Sequence, residues 1–361
     1  MKNIAVLGAG NIGSLISILL ATNEYNVHLL SDNFPDIDFE THGIHLCISD
    51  VSDTDSLQRF VKDNAIDVIV SALPYYLNIG VATIANENNI NYFDLTEDVG
   101  VKNHILNLVE TSSQNNILMP QCGLAPGFIN IVGADLMRQF DSIHEAKLRV
   151  GALPQTISNS LKYNLTWSTN GLVNEYGNPC EAIVEGRFVD DLMPLEGVET
   201  TLIDGVEYEA FNTSGGLGTL AETFAQKARN LNYKTLRYPG HCEKIKFLMF
   251  DLRLNEKRHV LENILEQAVP MTKQDVIVIY SAVSGNVAGK FKELSYVNKV
   301  YPREIAGQVW AGIQVTTAAG VCAALDITIN NPEKYNGFVR QEDINLDEFI
   351  NNRFGEYYLE P

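Results

Sequence analysis

Three glycines stand at the spacing of a phosphate-cradling turn: Gly8, Gly10 and Gly13 in Gly8-Ala9-Gly10-Asn11-Ile12-Gly13. The turn follows a β-branched apolar run at 2–7 and opens an apolar helical stretch at 12–20, the strand-turn-helix setting in which such a motif binds a dinucleotide. Gly8 permits the tight turn, Gly10 lets backbone approach a diphosphate, and Gly13 lets helix and strand pack closely, with the phosphates on the N–H groups at the helix start around Asn11 and Ile12. A glycine-rich turn that is only structural is the competing reading. Asp32 follows Gly13 at close to the spacing, about 20 residues, at which an acid takes the ribose 2′-hydroxyl of NAD. No Lys or Arg adjoins it to meet a 2′-phosphate, which favours NAD and leaves NADP possible; Ser31 is the other residue at that tip.

Further residues with chemical capacity fall where later strands end. Asp50 and Val51, with Ser49, edge an adenine pocket or form a helix N-cap before Leu57. Ala72, Leu73 and Pro74 end a strand facing the cofactor's middle, with Tyr75 beyond. Asp94 and Glu97 offer carboxylates, with Asp94 alternatively closing its strand. Cys122 and Gly123 begin Cys122-Gly123-Leu124-Ala125-Pro126-Gly127, a turn that brings backbone and bare N–H groups to a small molecule. Cys122 reads as pocket packing ahead of nucleophile, since hydride transfer needs no thiol.

These positions require a regular scaffold, and the chain supplies one. Strand patterns at 26–30, 44–48, 67–71, 91–94 and 117–119 alternate with helical patterns at 57–64, 79–88 and 101–113, and a helix at 128–137 follows the last turn. The alternation predicts an α/β, doubly wound parallel sheet with ligands beyond the carboxyl ends of its strands. Past about residue 141 the pattern changes to strands at 144–150, 161–167, 182–189 and 200–211, with a hairpin signal at Ile203-Asp204-Gly205-Val206. A helix at 217–229, a strand at 235–238, an amphipathic stretch at 243–252, a helix at 257–267 and strands at 276–283 and 291–300 complete a mainly antiparallel α+β unit. A long, weakly polar helix at 304–325, buried on both sides, and a surface helix at 345–354 follow; no internal repeat is visible.

At 361 residues the chain exceeds one average domain. A net charge of −19 argues against nucleic acid and means that an anionic ligand must be held by local devices. Five scattered cysteines, none in C-x-x-C, indicate neither a disulfide framework nor a metal site. The glycine motif starts almost at Met1, leaving no room for a leader, and no apolar run is read as reaching the roughly 18 residues of a membrane helix. The expectation is a soluble, cytoplasmic protein with no membrane partner.

The order of Gly8-Ala9-Gly10-Asn11-Ile12-Gly13, Ser71-Ala72-Leu73-Pro74, Tyr92-Phe93-Asp94-Leu95, Cys122-Gly123-Leu124-Ala125-Pro126-Gly127, Thr213-Ser214-Gly215-Gly216-Leu217-Gly218-Thr219 and Arg237-Tyr238-Pro239-Gly240-His241 resembles the saccharopine dehydrogenase and lysine 6-dehydrogenase family. Thr166-Trp167-Ser168, Gly171-Leu172-Val173-Asn174-Glu175-Tyr176 and the tail Gly337-Phe338-Val339-Arg340-Gln341-Glu342-Asp343 are most similar to the lysine 6-dehydrogenase side. The resemblance implies a Rossmann domain at 1–125, an inserted α+β domain at 126–303 for substrate and dimer contacts, and a C-terminal segment at 304–361 returning to the first. Many relatives end the second strand in a plain acid, which Ser31-Asp32 offsets by one. The implied activity is NAD-dependent oxidation at a carbon–nitrogen bond of an amino acid or opine by a homodimer.

Such chemistry needs a base and an anchor. His241 is the leading acid/base candidate, held by the Pro239-Gly240 turn at a domain seam, or it merely caps a helix. Arg237 is the carboxylate clamp or a surface ion-pair partner. Tyr75, Tyr163, Trp167 and Asn174 are pocket walls or core, and Thr213 to Gly216 present N–H groups or cap a helix. Alternatives are a saccharopine reductase or a carboxynorspermidine dehydrogenase-like enzyme that condenses an aldehyde with an amine, and a non-catalytic dinucleotide sensor or scaffold.

Overall fold

Nearly continuous apolar strands, such as Val68–Ser71 with every residue buried, belong to a sheet covered on both faces. In the computed structural model, which describes residues 1–360, six of them are β1 (Asn3–Leu7), β2 (Asn26–Ser31), β3 (His45–Ile48), β4 (Val68–Ser71), β5 (Asn91–Asp94) and β6 (Ile117–Met119). They run parallel in the order β6-β5-β4-β1-β2-β3, and a short strand from far along the chain, Gly337–Phe338, adds itself parallel to β6. The chain leaves β1 toward β2 on one side and reaches β4 on the other, so a crevice opens between the ends of β1 and β4. Leu7, Leu30, Ile69, Tyr92 and Leu118 pack with Leu57, Val81 and Ile105 from helices Thr54–Asp63, Tyr75–Glu87 and Val99–Thr111.

This unit comprises Met1–Phe128 and the chain from Thr316 onward. The returning segment is pinned by Asp326, which accepts from Tyr25 Oη at 2.5 Å and Arg353 Nη2 at 2.7 Å. Phe128 packs its ring 4.0 Å from that of Tyr358. The tail at 345–354 holds only the short helix Leu346–Ile350, and Phe349 and Phe354 are buried rather than on the surface.

The second unit, Ile129–Val315, is built on one mixed, mainly antiparallel sheet. Its strands are β7 (Ser142–Pro154), β8 (Cys180–Val184), β9 (Arg187–Leu192), β10 (Glu199–Ile203), β11 (Val206–Asn212), β12 (Leu231–Arg237), β13 (Asp275–Val287) and β14 (Lys290–Val300). Their order is β10-β11-β12-β7-β13-β14, with β8 pairing β12 and β9, and only β12 and β7 pair in parallel. The hairpin at Asp204-Gly205 forms as expected, both residues having positive φ, +50° and +79°.

Four expectations fail here. The single strand read at 182–189 is a hairpin, turning at Glu185-Gly186 with φ +50° and +77°. The strand read at 161–167 is a loop anchored by Leu165, which exchanges hydrogen bonds with Pro270 and Thr272. The helix read at 217–229 is one turn, Leu220–Thr223, because Gly218 has φ +57° and the segment beyond is drawn to β7, where Arg229 N–H donates to Ile143 O. The helix read at 304–325 begins only at Gly312; before it, Arg303–Ile305 and Gln308–Trp310 form a hairpin turning at Ala306-Gly307.

Helix Gly312–Ile329 also corrects the reading that no apolar run reaches membrane length. It has 18 residues and a hydropathy of 1.4, and 83% of it is buried within the protein. The buried Asp275 carboxylate sets its start, accepting from Gly312 N at 2.6 Å and Ile313 N at 3.0 Å. Asp275→Ala removes both acceptors and is expected to lower unfolding free energy by about 2 kcal/mol; equilibrium denaturation unchanged from the wild type would refute the cap.

Candidate active site

The glycine turn is tight where its own sterics demand it and open where they do not. Gly8 has φ +98°, and a Cβ on Gly13 would lie 1.8 Å from Gly8 O, so strand and helix touch backbone to backbone. Gly10 has φ −67°, which any residue adopts, and a Cβ there would meet nothing within 4 Å. The protein's packing gives Gly10 no reason to be glycine. Gly10 is also the N-cap of helix Asn11–Ala21, which no side chain caps, so the first N–H groups, from Asn11, Ile12 and Gly13, are left for an anion. This arrangement fits a dinucleotide diphosphate.

Around the turn, Ala72 N–H donates to Leu7 O, and Ala72 and Leu73 line the Gly8 backbone. Pro74 occupies the N-cap position of Tyr75–Glu87, and Tyr75 packs partly against the core. Ser31 ends β2 buried, and Asp32 stands exposed beside it, accepting from Asn33 Nδ2 at 3.1 Å. Asp50 is exposed and its Oδ1 accepts from Ser52 N and Oγ, which holds its carboxyl below the usual range. Val51 packs against the core, and the cap of the next helix is Asp53, not Asp50.

At the ends of β4 to β6 a hydrogen-bond network replaces the free carboxylate expected at Asp94. Its Oδ2 accepts from Tyr92 Oη at 2.8 Å and Asn78 Nδ2 at 3.4 Å; its Oδ1 accepts from Thr96 N at 3.0 Å and Gln121 N at 2.9 Å. Asn78 in turn accepts from Ser71 Oγ at 2.7 Å. Four donors use the roughly four lone pairs of a carboxylate, so Asp94 closes its strand, and burial raises its pKa to about 6. Cys122 is buried too: its thiol lies 3.0 Å from Met119 O, accepts from Gln341 Nε2 at 3.2 Å, and is pushed far above its ordinary pKa by burial. A thiol so held is not a nucleophile.

Glu97 differs from both. It is partly exposed and lies three residues past the end of β5, where desolvation, with Asp98 and Asp94 nearby, pushes its carboxyl up to about 7. Gly123 lies in a knot closed by Gly127, whose Cβ would come 1.9 Å from Gly123 O.

The second unit brings together Tyr163, Tyr176, Arg237 and His241 in one buried cluster. His241 Nδ1 lies 2.9 Å from Leu161 O, which only accepts, so Nδ1 carries the proton and Nε2 accepts from Tyr176 Oη at 3.0 Å. Tyr176 Oη accepts from Arg237 Nε at 2.9 Å, and Arg237 Nη1 donates to Thr235 Oγ1 and Leu236 O. The guanidinium lies 5.0 Å from the Tyr163 ring centroid. Burial and the Arg237 charge lower the His241 pKa to about 3. The acid/base expectation for His241 is therefore corrected: both ring nitrogens are engaged and the ring is neutral. The capping alternative fails as well, since Glu209 accepts from Gly240 N and Cys242 N at the start of that helix.

Trp167 packs partly buried against this core. Asn174 Oδ1 accepts from Asn178 Nδ2 at 2.9 Å and Arg258 Nη1 at 3.0 Å. The hydroxyls of Tyr163, Thr166 and Thr213 are buried without a hydrogen-bond partner. Gly216 lies against the Tyr233 ring, and Thr213-Ser214 is fixed by Ser214 N donating to Glu175 O.

Sequence reasoning missed Tyr176, Glu209, Asn78 and Gln121 as members of these networks. Tyr92 and Asp94, alternate residues of one strand and hence on one face, were a readable signal. Among the described residues no group of three His, Cys, Asp or Glu is placed to hold a metal.

Residues 4–118 match the family model of the saccharopine dehydrogenase NADP binding domain, and residues 123–356 that of the saccharopine dehydrogenase C-terminal domain. Among solved structures the chain is similar to apo histidine-tagged saccharopine dehydrogenase (L-Glu forming) from Saccharomyces cerevisiae, at 16% identity over 96% of each chain with a TM-score of 0.73. It is also similar to an engineered D-amino acid dehydrogenase bound to NADP+, at 10% identity over 98% of each chain with a TM-score of 0.50. At these identities the likeness is one of fold.

A neutral, locked His241 makes a stability prediction. Its pKa of about 3 lies below the ordinary 6.5, so its contribution is present above pH 6.5 and is lost as pH falls toward 3. His241→Ala strands the Tyr176 hydroxyl and the Leu161 carbonyl and is expected to cost about 3 kcal/mol at neutral pH, with a shallower loss of stability below pH 6.5 than in the wild type. Parallel stability curves for the two proteins across that range would refute it.

Proposed function

This chain belongs to the saccharopine dehydrogenase family of NAD(P)-binding oxidoreductases, and on that premise we propose an NAD-dependent amino-acid dehydrogenase that oxidises a carbon–nitrogen bond of a lysine-like amine or opine. The observation that carries the reading is Gly10, a glycine that the protein's own packing does not require, at an uncapped helix start. Gly8 to Gly13 hold the diphosphate on backbone N–H groups, Asp32 takes the ribose hydroxyls, and Ala72 to Pro74 edge the dinucleotide's middle. NAD is favoured over NADP because no Lys or Arg stands between Lys2 and Arg59 to meet a 2′-phosphate.

Bound there, the oxidised dinucleotide supplies the acceptor for a hydride from the amine-bearing carbon. The chain's own work is to deprotonate the nitrogen and fix the substrate. Glu97 takes the ammonium proton, since a carboxyl near pH 7 exchanges protons readily at neutral pH. The freed lone pair forms the C=N bond as the hydride departs, and water then adds to the carbon. Asp94 positions, tying the strand ends together. Within the second unit, taken by itself, Arg237 is the carboxylate-binding candidate: its Nε and Nη1 are bonded to the protein and Nη2 is not. The assembly is proposed to be a homodimer in the cytoplasm.

Two experiments test this. Gly10→Ala fills open space, so it is expected to unfold like the wild type while weakening NAD binding by about 10-fold, some 1.4 kcal/mol; unchanged affinity in titration calorimetry would remove the turn from cofactor binding. A screen following reduced-dinucleotide absorbance with NAD or NADP and lysine, saccharopine, ornithine or other amines is expected to find turnover with NAD. There, kcat/KM falls as pH drops through about 7, and Glu97→Gln lowers kcat by roughly 10² to 10⁴. Cofactor binding without turnover on any amine would favour a sensor, and turnover only with NADP would overturn the cofactor choice.

A further inference from the structure

Among the described residues of the first unit, Gln121 alone has a buried side chain with an unused donor together with an unfavourable backbone conformation. It follows β6 and the loop residue Pro120 with φ +67°, a region that L side chains rarely adopt. Only 3% of it is exposed, and its Nε2 has no hydrogen-bond partner. Its backbone N–H is fixed by Asp94 Oδ1 at 2.9 Å, and the next residue's N–H by Asp94 O at 2.8 Å. A buried amide without a partner costs free energy, as does the left-handed backbone, and both are retained at the carboxyl edge of the sheet.

Its place at the end of β6 says which part of a bound dinucleotide would lie nearest. The glycine turn lies at the crevice between β1 and β4, and the fold divides a dinucleotide into two halves, one over β1 to β3 and one over β4 to β6. A continuous series of contacts, Gly8 to Ala72 to Ser71 to Asn78 to Asp94 to Gln121, runs along the ends of β1, β4, β5 and β6. With Asp32 at the end of β2 on the first half, the second half is the nicotinamide side. A primary amide presents one donor and one acceptor side by side and is complementary to another primary amide, whereas a carboxylate ligand would use only its donor.

Resting on the dinucleotide reading above, we propose that Gln121 pairs its side-chain amide with the carboxamide of the nicotinamide ring. The contact selects the orientation of the ring, so Gln121 is a positioning residue for the cofactor's reactive end, and the Asp94 network serves to hold it there.

The test compares NAD with ADP-ribose, which lacks the nicotinamide, by titration calorimetry on the full chain. Gln121→Met is expected to weaken NAD binding by about 2- to 10-fold, the range of one or two hydrogen bonds, and to leave ADP-ribose binding unchanged. Gln121→Asn accepts the left-handed backbone but withdraws the amide by one methylene, and it should show the same selective loss even if the Met variant folds poorly. Equal losses for both ligands, or none for either, would overturn the assignment and leave Gln121 as a partner of buried water or as structure only. Wild-type protein that binds neither ligand would instead bring down the dinucleotide reading, and this inference with it.

Discussion

A single carboxylate holds the business edge of the first sheet. Asp94 has no exposed surface and takes donors from its own strand (Tyr92), from the helix after β4 (Asn78), from the turn after β5 (Thr96) and from the end of β6 (Gln121). Burying a carboxylate is costly, and hydrogen bonds to the charged form are what offset the cost. The two effects oppose each other in its pKa, where desolvation wins and raises it to about 6 while the backbone and phenol donors pull the other way. Loss of any one donor leaves a buried charge under-satisfied, so the ends of three strands are coupled. The Cys122 turn hangs from the same point, since its N–H donates to Asp94 O.

That coupling separates the two acids that sequence placed together. Asp94 is saturated by the protein and Glu97, three residues on, is raised by desolvation and by like charge with no donor of comparable number. A saturated carboxylate fixes geometry, and an unsaturated one near its pKa exchanges protons; the network decides which acid has which property.

The first sheet was legible because each of its signals is local. A buried parallel strand is a short apolar run, a helix is a 3.6-residue pattern, and β5 and β6 fall where the sequence places them. In the second unit the strands at 144–150, 276–283 and 291–300 and the helix at 257–267 were legible from their patterns, and the hairpin at Asp204-Gly205 from its turn chemistry. Residues 161–167 and 217–229 are decided by partners far away in sequence, Pro270 and Thr272 for the former and Ile143 for the latter. At 304–311 a hairpin turns at Ala306-Gly307, with φ +53° and +77°, where the sequence pattern reads the apolar run that follows back into one helix. His241 and Arg237 were singled out for their types and their turn, but burial, which makes one neutral and the other a permanent cation, has no local signature.

The buried pair in the second unit shows how an acidic protein keeps a cation available. Arg237 is enclosed by a phenol, a hydroxyl, a carbonyl and the face of the Tyr163 ring, and Glu175 acts on it electrostatically. Neutral groups satisfy its N–H donors without cancelling its charge. His241 extends that logic: a second cation beside Arg237 would be repelled, and the same repulsion, added to desolvation, holds the imidazole neutral so that its Nε2 accepts the Tyr176 proton. Tyr176 is thereby oriented to present its lone pair to Arg237 Nε. With a net charge of −19 the chain's overall field opposes anions, and Arg237 is a buried cation whose bonded N–H groups meet neutral acceptors. The neutral histidine is what allows that guanidinium to stay in the core.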